Sequence, residues 1–432
     1  MKHLLSCIIF IFCTSILSFS QWYELNPETN SHIYCVHFSD NSLGWICANN
    51  NLIKQTADGG DTWNETNFHG GTSGSSDFNW YSIYAINENE VYACGSKYNW
   101  DRFQFNYAYS TNAGSSWTWQ SSWGSSAGAW RQVFFIDDQI GWKVGTRSGN
   151  GWIGRTSDGF NEFIDSPVFD DQPLRSVHFI DQNIGWVAGS NGFIAKSIDA
   201  GITWTELQTG LEAEDLNKIF FIDATTGWAV GDEDDVGIII KTTDGGATWN
   251  TVNMPPTMEL NGLYFVNEDI GWACGSTVVN QEERGLILYS DDAGENWTEQ
   301  YVADEVSALY GVFFINELTG WVSGSDGIIL KTTNAGGTQF EGIEENPFTY
   351  SVVKYPNPFT LSIIFEYELK QPEKVSLTIF DNMGKQINFI QKNQFDGIQQ
   401  IKWNAEIRPE GIYHYRIQAG KKAASGKILK IK

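Results

Sequence analysis

The sequence is poor in the residues and motifs from which active sites are commonly built. Its 432 residues include six histidines and six cysteines, and no His-Glu-x-x-His, Gly-x-Ser-x-Gly or Walker phosphate loop. The pattern Gly-x-Gly-x-x-Gly occurs at 149–154, but there it opens an expected strand and turn. Without a helix N-terminus that segment has no phosphate site. We therefore predict no catalytic residues and no cofactor.

Residue patterns that bind metals are also scarce. Cys7 and Cys13 fall in an N-terminal apolar segment, and the other four cysteines form no Cys-x-x-Cys pair. Three of those four share one position of a repeat described below, where other copies carry Ala or Val, which favours buried thiols. The carboxylate run 232–235 could hold Ca²⁺, but it lacks the glycine-bearing spacing of calcium loops. We predict a solvated loop there and no metal.

Basic residues are rare in most of the chain. Residues 21–340 carry 42 acidic and 13 basic side chains, whereas residues 341–432 carry 10 and 13. A segment this acidic repels phosphate backbones, which excludes nucleic acid as an expected partner. The change in the ratio of acidic to basic residues at about residue 340 also predicts a separate C-terminal domain.

Long apolar runs are absent except at the N-terminus. An apolar segment over 4–17 is followed by Ser18 and Ser20, and this is typical of a signal peptide at 1–20 cut before Gln21. A lipoprotein alternative at Cys7 would leave almost no apolar segment before the cysteine. No other stretch approaches the length of a membrane helix. We expect an exported chain with no membrane span.

A repeat organises residues 21–340. The dipeptide Gly-Trp or its degenerate copy Val-Tyr returns every 42 to 50 residues. The seven copies begin at Gly44, Val91, Gly141, Gly185, Gly227, Gly271 and Gly320. Alternating apolar residues and short runs between turns favour strands, and the spacing is that of a four-stranded propeller blade. The prediction is an all-β protein with a seven-bladed β-propeller at 21–340.

Each repeat also contains a turn with the pattern Ser/Thr-x-Asp/Asn-x-Gly-x-x-Trp/Phe. Two copies are weaker: one has Phe160 in place of the glycine, and in the other the closing aromatic, Phe340, comes one residue late. A short carboxylate or amide accepts backbone N–H bonds across such a turn, and glycine adopts the positive φ. The acceptors are Asp58, Asn112, Asp158, Asp199, Asp244, Asp292 and Asn334. These turns resemble the Asp boxes of sialidase-type propellers, and the whole repeat most resembles photosystem II assembly-factor-like propellers. The resemblance implies a structural role for the seven acceptors.

Two further features of the repeat predict how the propeller closes and packs. The segment 22–25 matches the outer strand of a blade but follows no turn, so we expect it to complete the last blade and remove its open edge. His37 and His178 occupy a position that is otherwise Tyr or Phe in every copy. We predict an aromatic packing layer there rather than catalysis.

The tail, 351–432, follows a linker at 341–350. It begins with Lys-Tyr-Pro-Asn-Pro-Phe at 354–359, continues with alternating strands and ends in Gly-Lys-Ile-Leu-Lys at 426–430. The pattern predicts a small immunoglobulin-like β-sandwich. It closely resembles the type A C-terminal sorting domain of the type IX (Por) secretion system. The resemblance implies the type IX machinery of a Gram-negative cell as a partner, and a secreted or surface-anchored protein; an accessory immunoglobulin-like module is the alternative.

The expected binding face is the channel mouth. In each blade we expect one residue there, two positions before the first shared Val, Ile or Leu of the innermost strand. These residues are Tyr34, Tyr81, Arg131, Arg175, Asn217, Asn261 and Tyr310. Arg131 and Arg175 are cations on adjacent blades and resemble the arginine patch of the assembly-factor family. Tryptophans in nearby polar segments, among them Trp100 and Trp130, suit stacking on sugars or peptides, although they could simply cap hairpins.

Three functions remain open from the sequence. The first is a non-catalytic surface or extracellular propeller that recognises an unknown protein or glycan at this face. The second is a carbohydrate-active enzyme with unidentified carboxylates, because acidic residues are too plentiful to exclude a pair. A sialidase would need an arginine cluster and a Phe-Arg-Ile-Pro segment, which are missing. The third is a structural adhesin.

Overall fold

The computed structural model of the protein describes residues 22–66, 78–99, 102–124, 128–159, 163–165, 169–212, 214–303, 306–336, 353–369, 372–380, 386–406, 408–419 and 422–431. In these ranges the regular structure consists of strands and one 3₁₀ turn, Ser325–Gly327. The prediction of an all-β protein is confirmed. None of the described residues belongs to a helix with the length and hydropathy of a membrane span.

Residues 23–332 form seven four-stranded antiparallel sheets within the described ranges, the same number as the repeats. The first strand, β1 (Tyr23–Leu25), joins the seventh sheet. The strands of blades 1 to 3 are β2 (Ile33–Phe38), β3 (Gly44–Ala48), β4 (Ile53–Thr56), β5 (Asn64–Glu65); β6 (Phe78–Ala85), β7 (Val91–Asn99), β8 (Arg102–Ser110), β9 (Thr118–Gly124); β10 (Gly128–Phe135), β11 (Gly141–Arg147), β12 (Asn150–Thr156) and β13 (Ile164–Asp165).

Blades 4 to 7 continue the same order. Their strands are β14 (Leu174–Phe179), β15 (Gly185–Gly189), β16 (Ile194–Ser197), β17 (Thr205–Leu207); β18 (Asp215–Phe221), β19 (Gly227–Glu233), β20 (Val236–Thr242), β21 (Asn250–Thr251); β22 (Glu259–Phe265), β23 (Gly271–Val279), β24 (Glu282–Ser290), β25 (Thr298–Val302); β26 (Leu309–Phe314), β27 (Gly320–Gly324) and β28 (Ile329–Thr332). The segment 149–154, which matches a dinucleotide pattern, lies almost wholly within β12 and not at the start of a helix.

The blades surround a central channel, with the first strand of each repeat innermost. Innermost strands of consecutive blades contact each other, and β26 contacts β2. One ring from each blade touches its two neighbours in a closed cycle, with ring centroids 4.4 to 5.5 Å apart. This aromatic layer consists of His37, Tyr84, Phe134, His178, Phe220, Tyr264 and Phe313. The predicted packing layer is confirmed.

The N-terminal segment closes the last blade, as the sequence predicted. Strand β1 pairs antiparallel with β28, and Glu24 lies opposite Leu330. Trp22 is 3% exposed and packs edge-on against Phe314, with ring centroids 5.8 Å apart. Its indole N–H donates to Gln300 Oε1 at 3.0 Å. The outer edge of blade 7 is therefore covered by the start of the propeller.

The Gly-Trp dipeptide holds neighbouring blades together. In blade 4, Trp186 is fully buried and stacks on Phe221 of blade 5, with centroids 3.6 Å apart and an interplanar angle of 5°. Its N–H donates to the carbonyl of Gly245 in the Asp-box turn of blade 5 at 3.1 Å. Equivalent stacks join Trp142 to Phe179, Trp228 to Phe265, Trp272 to Phe314, and Trp321 to Phe38.

The glycine of the dipeptide leaves room for a phenylalanine of its own blade. A Cβ at Gly185 would lie 2.4 Å from the ring of Phe179, directly opposite on the paired strand. Blade 2 replaces both partners, because Val91 lies opposite Ala85. The degenerate Val-Tyr copy is thus a compensated exchange of volume between two strands.

The tail forms two sheets around one core in the described residues. The three-stranded sheet contains β29 (Val353–Tyr355), β30 (Ser362–Leu369) and β33 (Gly397–Asn404), and the four-stranded sheet contains β31 (Glu373–Phe380), β32 (Gln386–Gln394), β34 (Gly411–Ala419) and β35 (Lys422–Lys430). Both sheets contribute to a cluster that includes Phe365, Leu377 and Trp403. An immunoglobulin-like topology, and the boundaries at 340 and 350, remain predictions, because residues 337–352 lie outside the described ranges.

Candidate binding site at the channel mouth

The seven residues expected at the channel mouth share one structural feature. In every blade the pairing between the two innermost strands shifts by one residue at that position, which is a β-bulge. The residues left without a pairing partner are Tyr34, Tyr81, Arg131, Arg175, Asn217, Asn261 and Tyr310. A bulge redirects the side chain of its extra residue, so one side chain per blade is turned away from the regular alternation.

In six of the seven blades a glycine faces the bulge, and in blade 1 its place is taken by Ala48. A Cβ on Gly231 would lie 1.8 Å from the carbonyl oxygen of Asp215, at the start of the bulged strand. The equivalent distances at Gly145 and Gly189 are 2.1 and 2.0 Å. The glycine that ends the Gly-Trp strand in most repeats therefore marks the bulge, and this signal was present in the sequence.

One half of the mouth is aromatic and carries an exposed cation. The ring of Tyr34 lies 5.2 Å from that of Tyr81 and 5.5 Å from that of Tyr310. The exposed guanidinium of Arg131 stacks over Tyr81, 4.6 Å from the ring centroid. These four residues, from blades 7, 1, 2 and 3, form a continuous surface that we call the aromatic half.

The other half of the mouth is polar. Arg175 donates to Asn217 Oδ1 at 2.7 Å and forms an ion pair with Asp215. Asn217 and Asn261 each donate to a main-chain carbonyl of the following blade, at 3.0 and 3.2 Å. The structure thus brings all seven predicted residues to one face, although it divides them into two groups. We call this second group, with its neighbouring carboxylates, the polar half.

Three carboxylates of the polar half were not predicted. Burial raises the pKa of Asp232, and the nearby Asp215 raises it further, while a hydrogen bond from Asn217 opposes the shift. Burial likewise raises the pKa of Glu259, which accepts a hydrogen bond from Asn261. Asp215 and Glu259 each stand two residues before the mouth residue of their blade.

The hypothesis of a patch formed by Arg131 and Arg175 needs correction. The carboxylate of Asp215 neutralises Arg175, and both side chains are 36% exposed. Arg131 has no carboxylate partner in the described residues and is the exposed cation of the mouth. At the mouth, blades 4 and 5, which follow Arg131 around the ring, therefore carry no free cation and are acidic to neutral.

The predicted tryptophan contacts are also corrected. Trp130 is 7% exposed, and the ammonium of Lys143 stacks 4.4 Å from its ring centroid. The same ammonium lies 4.2 Å from the ring of Tyr107 and 4.3 Å from that of Phe163, so an internal lysine occupies this aromatic cage. Trp130 has no free face for a ligand. Trp100 lies outside the described residues.

The Asp-box residues form hydrogen bonds within their own turns. Asp58 accepts from the backbone N–H and the hydroxyl of Thr62, at 2.8 and 2.6 Å, and these bonds lower the pKa of Asp58 to about 2. The hydroxyl of Thr56 donates to Asp58 and accepts from the N–H of Gly60. Side-chain or main-chain bonds of the same kind recur at Asn112, Asp158, Asp199, Asp244, Asp292 and Asn334.

In the part of the chain that the structure describes, no three His, Cys, Asp or Glu side chains are grouped closely enough to hold a metal ion. The carboxylate run 232–235 forms a two-residue hairpin turn, with Asp234 and Asp235 at φ of 48° and 64°.

Two family models match the chain. Residues 14–98 and 162–263 match the model described as photosynthesis system II assembly factor YCF48, and residues 353–432 match the secretion system C-terminal sorting domain. The photosystem II assembly lipoprotein Ycf48 of Parasynechococcus marenigrum is 38% identical over 50 residues. That match covers 12% of this chain and 15% of the relative's length.

Solved structures share the fold at low identity. A structure of YCF48 bound to D1 peptide superposes with a TM-score of 0.56 at 17% identity, covering 74% of this chain and 96% of the other. The GH74 enzyme of Niastella koreensis superposes with a TM-score of 0.52 at 11% identity, covering 95% and 75%. At these identities the likeness concerns the fold alone.

Proposed function

We propose that this chain, a photosystem II assembly-factor-like propeller joined to a secretion system C-terminal sorting domain, is a non-catalytic binding protein that recognises a peptide segment of a partner at the channel mouth. The sorting domain implies export to the cell surface or the extracellular space. Export separates the protein from photosynthetic membranes, so we carry over the binding mode of the relatives and not their role.

The observation that carries this proposal is the ring of seven bulged residues. A bulge in each blade presents one side chain at the mouth, and the two halves differ in chemistry. The aromatic half offers three tyrosine rings beside the exposed Arg131, and aromatic residues and arginine are the side chains that dominate binding energy at interfaces. The structural neighbour described as YCF48 bound to D1 peptide supports a peptide as the ligand.

The charges at the mouth indicate the sequence of that peptide. Arg131 favours an acidic or aromatic side chain of the ligand, through an ion pair or stacking. On the polar half, Asp232 and Glu259 favour a basic or amide side chain. We therefore infer a peptide with an acidic or aromatic residue and a basic residue placed to reach opposite sides of the channel.

A peptide library displayed on phage tests the proposal, using the mature full chain as bait. We expect enriched peptides to lose about tenfold or more in affinity with Arg131→Ala, because a buried arginine anchor typically contributes more than 1 kcal/mol. Arg155→Ala is the control, since Arg155 lies on the third strand of blade 3, opposite Trp142 and away from the bulge. Equal losses with both variants, or no enrichment, would contradict a peptide site at the mouth.

A glycan array separates this proposal from its alternatives. Glycans that bind the wild type and not Arg131→Ala would replace the peptide by a sugar at the same site. A protein that binds neither peptides nor glycans would favour the structural adhesin.

Glycoside hydrolysis is a second candidate, favoured by one observation. Asp232 and Glu259 lie near each other at the mouth, and burial raises the pKa of both, as a general acid requires. The fold is shared with a GH74 enzyme. Turnover of aryl glycosides by the wild type, abolished in Glu259→Gln, would support this function. Turnover no faster than a buffer blank would contradict it.

A further inference from the structure

Two cysteines face each other across the first two strands of blade 1. Cys35 on β2 and Cys47 on β3 are direct register partners, and they follow the bulge at Tyr34 immediately. Directly opposed residues of an antiparallel pair project to the same side of the sheet, with Cβ atoms about 4.5–5.5 Å apart. A disulfide joins Cβ atoms that are about 3.5–4.5 Å apart, which meets the short end of that range.

Two other blades show how closely the side chains at this paired position approach. Blade 6 has Gly262 opposite Cys274, and a Cβ at Gly262 would lie 2.6 Å from the Sγ of Cys274. In blade 7, a Cβ at Gly311 would lie 2.9 Å from the Oγ of Ser323, its register partner. The position after the bulge therefore directs its side chain at the side chain of its partner. Cysteine at both positions brings two sulfurs into contact.

Blade 1 alone carries cysteine on both strands, among seven pairs that all lie in the described ranges. The other pairs are Ser82–Cys94, Gln132–Val144, Ser176–Ala188, Lys218–Val230, Gly262–Cys274 and Gly311–Ser323. Cys94 and Cys274 thus occupy the strand position of Cys47, but they face a serine and a glycine. Packing accounts for these two as small buried side chains, whereas it requires no second cysteine opposite Cys47.

The two thiols of blade 1 differ in exposure and reactivity. Cys47 is fully buried, whereas Cys35 is half-buried and directly follows a mouth residue in the chain. A hydrogen bond from Cys47 lowers the pKa of Cys35, and burial raises the pKa of Cys47. Cys35 is therefore the thiol that an external reagent reaches first, and its thiolate is the nucleophile.

The cellular compartment supplies the remaining condition. The sorting domain implies export to the cell surface or the extracellular space, and disulfides form and persist outside the cytoplasm. Both cysteines are free thiols in the structure. We propose that Cys35 and Cys47 form a disulfide between β2 and β3 when the chain is exported. The bond would close a loop of 11 intervening residues and fix the two strands beside the bulge. This inference rests on export and not on peptide binding.

The bond forms by thiol–disulfide exchange with an external disulfide, either a small one or that of an oxidoreductase. The Cys35 thiolate attacks one sulfur of that disulfide, and the thiolate that leaves takes up the proton that Cys35 lost. The Cys47 thiol then attacks the Cys35 sulfur, and its proton passes to the second departing thiolate. Two protein thiols are oxidised while one external disulfide is reduced to two thiols, so electrons and protons balance.

Thiol counting tests the bond in the mature chain, residues 21–432, which contains four cysteines. The folded, reduced chain is incubated with glutathione disulfide at neutral pH, then denatured in acid, alkylated and digested with trypsin. The tryptic peptide 21–54 contains both Cys35 and Cys47. We expect this peptide to lack both alkyl groups and two hydrogens, and the count of free thiols to fall from four to two. Four remaining thiols, or a bond from Cys35 to Cys94 in another peptide, would overturn the inference.

Pairs from other blades supply the matched variants. Cys35→Ser gives blade 1 the Ser–Cys pair of blade 2, and all three of its thiols should survive glutathione disulfide. Cys47→Ala removes the second thiol, so Cys35 should accumulate as a mixed disulfide with glutathione. Cys94→Val, the control, places in blade 2 the residue that blades 3 and 5 carry, and its count should still fall by two. Thiol loss in Cys35→Ser equal to that of the wild type would also refute the proposed pair.

Discussion

Acidification should destabilise the propeller through the two half-buried imidazoles of the aromatic layer. Burial, with a smaller contribution from the charge of Lys218, lowers the pKa of both His37 and His178 to about 3. In the unfolded chain a histidine has a pKa of about 6.5. The unfolded state therefore takes up these protons first as the pH falls. Stability contributed by the neutral rings is complete above pH 6.5 and is lost progressively between about pH 6.5 and 3.

The size of the effect follows from the two pKa values. Between pH 7 and pH 5, protonation of one unfolded histidine whose folded form stays neutral lowers the free energy of unfolding by about 2 kcal/mol. The result depends little on the folded pKa, because a ring with a pKa of about 3 is still neutral at pH 5. The two histidines together should cost about 4 kcal/mol over this interval.

Urea unfolding at pH 7 and pH 5, followed by tryptophan fluorescence, measures this quantity. The signal reports mainly on the propeller, because Trp403 is the only tryptophan after residue 340. We expect His178→Phe to remove about 2 kcal/mol of the pH dependence, with the Asp and Glu contributions unchanged. Tyr264→Phe is the control, since burial raises the pKa of Tyr264 to about 12 and this side chain does not titrate here.

An unchanged pH dependence in His178→Phe would refute this reasoning. If His178→Phe and the wild type lose the same free energy between pH 7 and pH 5, His178 is protonated as readily in the folded channel as in water. The aromatic layer would then be hydrated, and the closed packing of its rings would be wrong.

Three further predictions concern closure, packing and thiol chemistry. Deleting residues 21–26 should lower the thermal unfolding midpoint by several degrees in calorimetry, because the loss of the buried Trp22 costs about 3–5 kcal/mol. An unchanged midpoint would refute closure by the N-terminal strand. Ala85→Phe should lower the free energy of unfolding by about 1–3 kcal/mol, because it overpacks the contact with Val91 on the paired strand. The second change Val91→Gly should restore most of this stability, and additive losses in the double variant would refute the compensation. Alkylation of reduced Cys35 by iodoacetamide should accelerate at a lower pH than for an ordinary thiol, because a hydrogen bond from Cys47 lowers the pKa of Cys35. Mass spectrometry identifies the modified residue. A rate that rises only near pH 8.5 would contradict this prediction.

Features that depend on residues close in the chain could be predicted from the sequence. The Asp-box turn is encoded within a few residues, because a hydroxyl, a carboxylate and a glycine satisfy one another locally. The repeat spacing then defines the blades, and the unmatched strand at 22–25 indicates closure. Each of these inferences needs only the order of residues in one repeat and its comparison with the others.

Features that depend on pairing between strands could not be predicted in the same way. The bulge is a shift of register between two strands, and its marker, the glycine that ends the Gly-Trp strand, has many other uses in β proteins. Polar residues surround Trp130 in the sequence, which favours a ring that is available for stacking. In the structure it pairs with Gly145, just before the bulge, and is buried against Lys143.

The polar half of the mouth was missed for a related reason. Asp215 and Glu259 occupy a position that is uncharged or histidine in the other blades, so a search for one shared residue per blade ignores them. Asp232 comes from the neighbouring strand, one residue after the glycine that faces the bulge. Only the paired strands bring it to Asn217.

The bulge separates the residues that maintain the fold from those that contact a ligand. Tyr, Arg and Asn all occur at the bulged position, so its geometry is set by the backbone of the paired strands and not by the side chain displayed. Arg131→Ala should then leave the stability of the propeller almost unchanged, whereas Gly231→Ala should lower it, because the new Cβ would lie 1.8 Å from a main-chain oxygen. A scaffold of this kind can change its ligand by seven independent substitutions without changing its blades. Solved structures that share this fold do so at identities below 20%.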